Sequence, residues 1–463
     1  MRPTQEPTGG TASGRARVGV EVGVIDDLLA LHESLRPRLT ICEPGEVLIV
    51  HGVRLIDGLG SEPRDGMSLL AKGGVIERVG PDSSLSGDAE PGATVLDGRG
   101  LTLMPGMIDA HFHFTGRPKD PAKRELEAND DIRVLRAARD GLILLNAGFT
   151  AVKSMGHGRP AVVDALKQAM GEGFLVGPTI RHCGWAFSQS GGHGINPGWP
   201  LDLVEQRLPR SAFADGIDGC RVAVRRNFGE GADFVKLYAT QGLNTSPQDR
   251  MNIPNYTFEE LKVMADEAHR HRTLASAHAT GTEGAINAVR AGIDTIEHGP
   301  DCLDEDGEEL LDLMVEKGTL FVPTLAFASK VQHRPTFTPE MKERAARRYM
   351  GKLDFVGAAI AKGVRIAAGT DYSTLPLVGR NAEEIKALHE AGLSTVEAIA
   401  AGTSRAAEAM GLGHLLGAVR PGLATDLLLV DGDPSADIDV LCDPERIVRI
   451  VKARHTWRAP APL

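Results

Sequence analysis

Between about residues 107 and 413 the chain alternates two textures. Short, nearly continuous apolar runs are followed by longer stretches in which apolar residues recur every three or four positions. The runs read as strands buried on both faces, the stretches as amphipathic helices. Eight runs qualify: 103–113, 149–155, 178–184, 233–239, 274–279, 295–299, 320–325 and 365–371. Helices are expected at 122–146, 160–171, 257–271, 282–291, 304–317 and 339–362. Repeated strand-then-helix units predict an α/β fold, a (β/α)8 TIM barrel spanning 107–413. An open doubly wound sheet fits less well, because no strand leads into a G-x-G-x-x-G turn.

The flanking segments alternate apolar and polar residues with period two. Examples are VLIVHGVRLID from Val47, GVIERVG from Gly74 and, at the far end, RIVRIVKARHTW from Arg446. They read as strands of a small β-sandwich domain built from both chain ends, residues 46–106 and 414–463. Residues 1–45 read as an N-terminal extension. Its first 17 or so residues, rich in Gly, Thr, Pro and Arg, are expected to be disordered, with a short helix over 24–35.

Composition narrows the function classes. A chain of 463 residues with 42% hydrophobic and 24% charged residues is an ordinary globular protein of two or three domains. A net charge of −11 opposes binding to nucleic acid or an anionic membrane, and 4% aromatics leave little for base stacking. A small-molecule partner is the expectation. The five cysteines are scattered and form no Cys-x-x-Cys pair, which fits a reducing compartment. The first residues lack the apolar core of a signal peptide, and no window is apolar enough to span a membrane. A cytoplasmic protein is expected.

The candidate chemistry lies at the ends of the predicted strands. Asp109-Ala110-His111-Phe112-His113 closes the first run. Residues i and i+2 of a strand share a face, so His111 and His113 project side by side, about 7 Å apart along the backbone. His278 ends the fifth run, His298 the sixth, and Asp371 follows the eighth. Barrels of this type carry their chemistry on that rim, and four strands delivering His, His, His and Asp to it indicate a metal site. Lys236 sits inside the apolar run DFVKLYA. Burial disfavours its charge. Either it pairs with an acid, Asp233 being the near one, or its neutral amine takes up CO2 as a carbamate able to bridge two metals.

The order His-x-His, strand-borne Lys, His, His, Asp resembles the amidohydrolase superfamily of metal-dependent hydrolases. The likeness spans about residues 46–460 and includes MPGMIDAHFH, HATGTEGAINAVRAGIDTIEHG and GAVRPGLATDLLLVDGDP. It implies that His111 and His113 bind the more buried metal and that His278 and His298 bind a second. Lys236, carboxylated by CO2, would bridge them, and Asp371 would be both ligand and general base. The implied cofactor is one or two divalent metal ions per chain, zinc by default. The implied reaction is attack of metal-activated hydroxide on a carbonyl carbon.

Within the superfamily the chain is similar to the branch of imidazolonepropionase-like, Xaa-Pro and Xaa-Arg dipeptidase-like and ochratoxin-hydrolysing enzymes, with phenylurea and thiocarbamate hydrolases related. Gly191-Gly192-His193-Gly194, Ala239-Thr240-Gln241-Gly242 and Phe258-Glu259-Glu260-Leu261 carry that likeness. Asp371, His298 and His193 are the candidate catalytic residues. His193, Tyr238 and Thr280 are the candidates for binding substrate. Two departures matter: Gln241 stands where dipeptidase-like members carry Gly, and Thr280 where many carry a Tyr that holds a substrate carboxylate. They turn the expectation towards a neutral amide, urea or carbamate. An Xaa-Pro or Xaa-Arg dipeptidase, or an ochratoxin-type amidase of N-acyl amino acids, is the alternative, with Arg181, Arg225, Arg226 and Arg380 as carboxylate-binding candidates.

Deaminases of this fold place Glu three residues after the fifth-strand His. Position 281 is Gly and Glu283 is five residues on, which favours C–N cleavage of amides. A non-catalytic relative would have lost ligands, and none is lost. The family likeness also implies a homo-oligomer. His157, His269, His271 and the acidic stretch 301–313 have no assigned role.

Overall fold

The computed structural model describes residues 30–85, 91–116, 129–195, 211–242, 253–335 and 337–458. Residues 30–35 are helical. Six strands follow: β1 (Leu39–Cys42), β2 (Val47–Leu55), β3 (Arg64–Lys72), β4 (Val75–Pro81), β5 (Thr94–Asp97) and β6 (Thr102–Pro105). Then come β7 (Met107–Phe112), β8 (Phe149–Ser154), β9 (Thr179–His182), β10 (Ala186–Ser188), β11 (Ala212–Phe213), β12 (Val235–Tyr238), β13 (Ala275–Ala279), β14 (Thr295–His298) and β15 (Leu320–Val322). The strands β16 (Leu427–Val430) and β17 (Ile447–Ala453) close the chain.

Both chain ends build one mixed sheet, in the order β1-β17-β16-β6-β2-β3-β4, with β5 pairing beside β2. Its continuity runs through β2, whose pairing with β3 shifts register between Val50 and Val53 and again before Leu55. Gly52, at φ +69°, takes the left-handed turn this needs. The first half of β2 pairs with β5 and the second half with β6, so a bent strand serves two neighbours. Val50, Val53, Leu69, Leu103, Leu427 and Val451 form the core beneath it. β1, in the stretch read from sequence as an extension, pairs with β17 in parallel.

The parallel strands form two groups, β7-β8-β9 and β11-β10-β12-β13-β14-β15. Helices run between them where the periodicity placed them: Pro160–Glu172, Phe258–Arg270, Thr282–Ala291, Glu305–Lys317 and Pro339–Lys362. Local signals set these limits. Thr257 makes a capping box with Glu260, and Gly292, Gly318 and Gly363 end their helices in the left-handed conformation. The helix expected over 122–146 is described as Asp130–Asn146, capped by Asn129; its predicted start lies outside the described residues.

The eighth predicted strand, 365–371, is not a strand. It makes isolated parallel bridges, Ile366 with Phe321 of β15 and Tyr372 with Phe112 of β7. Its backbone nevertheless bonds both groups: Ala367 N–H donates to Phe321 O (2.9 Å), and Ala110 N–H donates to Ala368 O (2.9 Å). The left-handed backbone of Asp371 (φ +61°) interrupts the extended run. Among the described residues no helix is long and apolar enough to cross a membrane.

Candidate metal centre

His111 is the last residue but one of β7, and His113 follows directly after the strand. Their rings lie 5.2 Å apart, nearly perpendicular. Asp371 reaches both: its Oδ1 is 2.9 Å from His113 Nε2 and 3.6 Å from His111 Nε2. One ligand atom from each of these three residues falls within 4.8 Å of the others. The Nδ1 atoms are occupied elsewhere, His111 by Glu297 Oε2 (2.7 Å) and His113 by the Gly156 carbonyl (3.0 Å). Both partners are acceptors, so Nδ1 donates in each ring and Nε2 is the atom turned towards Asp371.

Neighbouring residues of a regular strand point to opposite faces. Glu297 and His298 nevertheless both turn towards His111. His298 has φ +70°, a left-handed conformation at a strand end, and its ring lies 4.8 Å from that of His111. Strained positions of this kind cluster where function over-determines the backbone. Gly369 serves the same packing by being small, since a Cβ there would sit 2.7 Å from His111 N.

A row of rings extends from this cluster. His278 is 4.6 Å from His298, and His193 stacks on His278 at 4.4 Å and 25°. Tyr238 is 4.6 Å from His193. His278 Nε2 donates to the Gln241 carbonyl (3.3 Å), which also accepts from the Thr280 hydroxyl (3.1 Å). Thr280 thus supports the turn at 240–242. His298 Nδ1 bonds Thr324 Oγ1 (2.9 Å).

Lys236 is 1% exposed, and its Nζ has no hydrogen-bond partner among the described residues. Asp233 is not its partner: that carboxylate takes Lys167 (2.6 Å) and the His182 N–H (2.9 Å). Burial pushes the Lys236 pKa below that of an ordinary lysine. Burial also lowers His111 to about 4 and holds His278 and His298 well below the usual imidazole range. These are neutral imidazoles, the form that binds metal. For Asp371 burial acts upward, but the His113 hydrogen bond and His111 outweigh it, so the carboxyl stays below its ordinary range.

Several supporting residues escaped the sequence reading. Asp109 accepts from His111 N–H (2.9 Å), Thr370 Oγ1 (2.6 Å) and Asn381 Nδ2 (2.6 Å), tying β7 to the segment that carries Asp371. Glu297 and Lys153 are charged residues inside apolar strands, the same signal that singled out Lys236. Glu384, fully buried, accepts the N–H groups of Leu325 (3.0 Å) and Ala326 (2.6 Å), just after Thr324. Burial, with a smaller push from Asp109, raises its pKa to about 7 against the pull of those N–H groups and Lys352.

The native state thus binds the Glu384 proton more tightly than the unfolded chain, so this group's contribution to stability falls as pH rises from about 4.5 to 7. The full swing is about 3 kcal/mol. In urea unfolding, Glu384→Gln should gain on the wild type between pH 5 and pH 8. A difference constant over that range would show that Glu384 is not the titrating group.

The remaining candidates have other engagements. Arg181 donates to Thr273 Oγ1 (3.2 Å) and the Asp233 carbonyl (2.5 Å). Arg225 binds Glu267 through two 2.9 Å bonds, and Arg226 is exposed on the same helix. Arg380 pairs with Glu383. His157 (φ +69°) lies 5.5 Å from the His113 ring. His269 pairs with Asp294 and His271 stacks on Phe228.

Comparison with known proteins accords with this geometry. Residues 102–453 match the amidohydrolase family. Ochratoxinase of Aspergillus niger is 29% identical over 458 residues, 93% of this chain and 91% of that one. The solved ochratoxinase of that fungus superposes with a TM-score of 0.78 at 27% identity, over 90% of this chain and 99% of that one. A Xaa-Pro dipeptidase solved with bound methionine superposes at 0.75 with 29% identity, over 86% and 97%. This chain belongs to the amidohydrolase family and is a hydrolase.

Proposed function

We propose that this enzyme is a metal-dependent hydrolase cleaving an amide-type C–N bond (amide, urea or carbamate) of a small molecule. The observation that carries the reading is the convergence of His111, His113 and Asp371 ligand atoms within 4.8 Å. Imidazole nitrogens and a carboxylate are a nitrogen and oxygen donor set that fits a divalent ion, zinc first. His111, His113 and Asp371 would hold it, with His278 and His298 the donors for a second. Lys236 fits the bridging role as a carbamate: its neutral amine adds to CO2 and loses one proton. The unpartnered Nζ supports this.

When bound, the ion supplies Lewis acidity and lowers the pKa of water from 15.7 towards about 7. Asp371 takes the proton of the attacking water and returns it to the leaving nitrogen. His193, held flat against His278, is the group to donate to the substrate oxygen as negative charge builds there. Tyr238, its ring 4.6 Å from that of His193, is the substrate-binding candidate beside it. The whole constellation sits in a (β/α)8 barrel over 107–413, with 46–106 and 414–463, joined by β1 of the 1–45 extension, as the second domain. Closure of that barrel is supported by the bonds that 365–372 makes to both β15 and β7.

A substrate without a carboxylate is favoured because Arg181, Arg225 and Arg380 are engaged by the protein itself. The second reading, a dipeptidase or N-acyl amino acid amidase, rests on the similarity to ochratoxinase and the Xaa-Pro dipeptidase. Assaying metal-loaded enzyme on aryl ureas, carbamates, N-acyl amino acids and dipeptides separates the two. Turnover of the carboxylate-free compounds is expected; cleavage of dipeptides alone would select the second reading. No hydrolysis of any C–N bond would refute both.

Replacing Lys236 by Met separates a functional amine from a structural one. The substitution removes a buried amine that lacks a partner and keeps the volume, so metal-free Lys236→Met should melt at or above the wild type. Its kcat/KM should nevertheless fall by at least about 10–100-fold, the loss typical of perturbed metal sites. Lower stability with unchanged turnover would make Lys236 a structural residue.

A further inference from the structure

On the N-terminal side of the candidate ligands a line of polar side chains crosses the strands. Glu297 Oε2 accepts from His111 Nδ1 at 2.7 Å, and Oε1 accepts from Thr295 Oγ1 at 2.6 Å. Thr295 Oγ1 and Ser276 Oγ lie 2.7 Å apart, because the two residues are direct partners in the β13–β14 register. Lys153 Nζ donates to Ser276 Oγ (2.7 Å) and to the Ala409 carbonyl (2.6 Å), over the Phe234 ring. All five side chains are at most 1% exposed.

The proton count sets the direction of this relay. An ammonium has three protons, each hydroxyl one and a carboxylate none. With Lys153 donating to Ser276, Ser276 donates to Thr295 and Thr295 to Glu297. If Thr295 donated to Ser276 instead, its oxygen would face Glu297 Oε1 at 2.6 Å with no proton between them. Two opposite buried charges, each costly alone, are thereby joined without touching.

We propose that Lys153 is a positioning residue for the metal site: through Ser276 and Thr295 it holds Glu297 as an acceptor, and Glu297 holds His111 with Nε2 turned to Asp371. The inference rests on the proposed function, in which His111 is a ligand.

Thr295→Val cuts the relay at a neutral link with little change in volume, and Lys153→Met removes its charged end. Zinc affinity, read by competition with a chromophoric chelator, should weaken about 10–100-fold in each. In the metal-free protein, 15N-histidine spectra should show a histidine protonated on Nδ1 alone, assigned to His111 by its loss in His111→Gln. Both relay variants should lose or shift that signal. Lys452→Met, which removes a different fully buried lysine from its partner Asp426, controls for general destabilisation and should change neither readout.

If Lys153→Met does not fold, Thr295→Val decides. A folded Thr295→Val with zinc affinity within twofold of wild type and an unchanged histidine signal would overturn the proposal, as would its absence from the wild-type spectrum. A wild type that binds no divalent ion would sink the metal reading separately, while the histidine spectra still decide whether the relay orients His111.

Discussion

Stripping divalent ions from the enzyme with a strong chelator should reduce hydrolysis to background, and adding the ion back should restore it. Asp371 accepts a hydrogen bond from His113 at 2.9 Å and lies below the ordinary carboxylate range. Ordinary water has a pKa of 15.7, so proton transfer to such a carboxylate is uphill by more than about 11 units. That gap exceeds what positioning alone closes. Metal content and rate should therefore rise together on reloading. Full activity in a sample holding less than about a tenth of an ion per chain would refute the mechanism.

Asp371→Asn should lower kcat by about 10²–10⁴-fold, the usual contribution of a positioned base. The substitution suits the site structurally. Asn tolerates the left-handed region better than almost any residue but Gly, so φ +61° remains accessible. Its amide oxygen can still accept from His113. Circular dichroism and melting should accordingly match the wild type while turnover is lost. A folded Asn variant that keeps kcat within tenfold would remove Asp371 from the chemistry and transfer the proton to another group.

Much of this architecture was legible because two periodicities differ sharply. The 3.6-residue pattern of Thr282–Ala291 and Pro339–Lys362 runs to its limits and ends at glycines, so both helices lie where the sequence placed them. His111, His113 and Asp371 were named from their places at strand ends, and theirs are the ligand atoms that cluster. The run 365–371 misled, since an apolar pattern cannot report a left-handed residue at its end. Residues 186–188 carried no strand-length signal, yet they pair with β12. Glu297 and Lys153 went unread for a different reason. Each charge is met by a residue distant in the chain, 186 positions away for Glu297 and His111, and only the folded register brings them together. The bulge in β2 was not legible either, because it is a matter of backbone pairing, not of polarity.

The strand order of the mixed sheet also bears on how the molecule is made. β16 and β17, synthesised long after β1 and β6, fill the gap between them. Through the synthesis of some 320 intervening residues those early strands wait with unsatisfied edges, the kind of surface that recruits chaperones or neighbouring nascent chains. Loss of the seven-residue β17 alone would leave that vacancy permanent, so a chain terminated before Ile447 should aggregate rather than yield a trimmed enzyme.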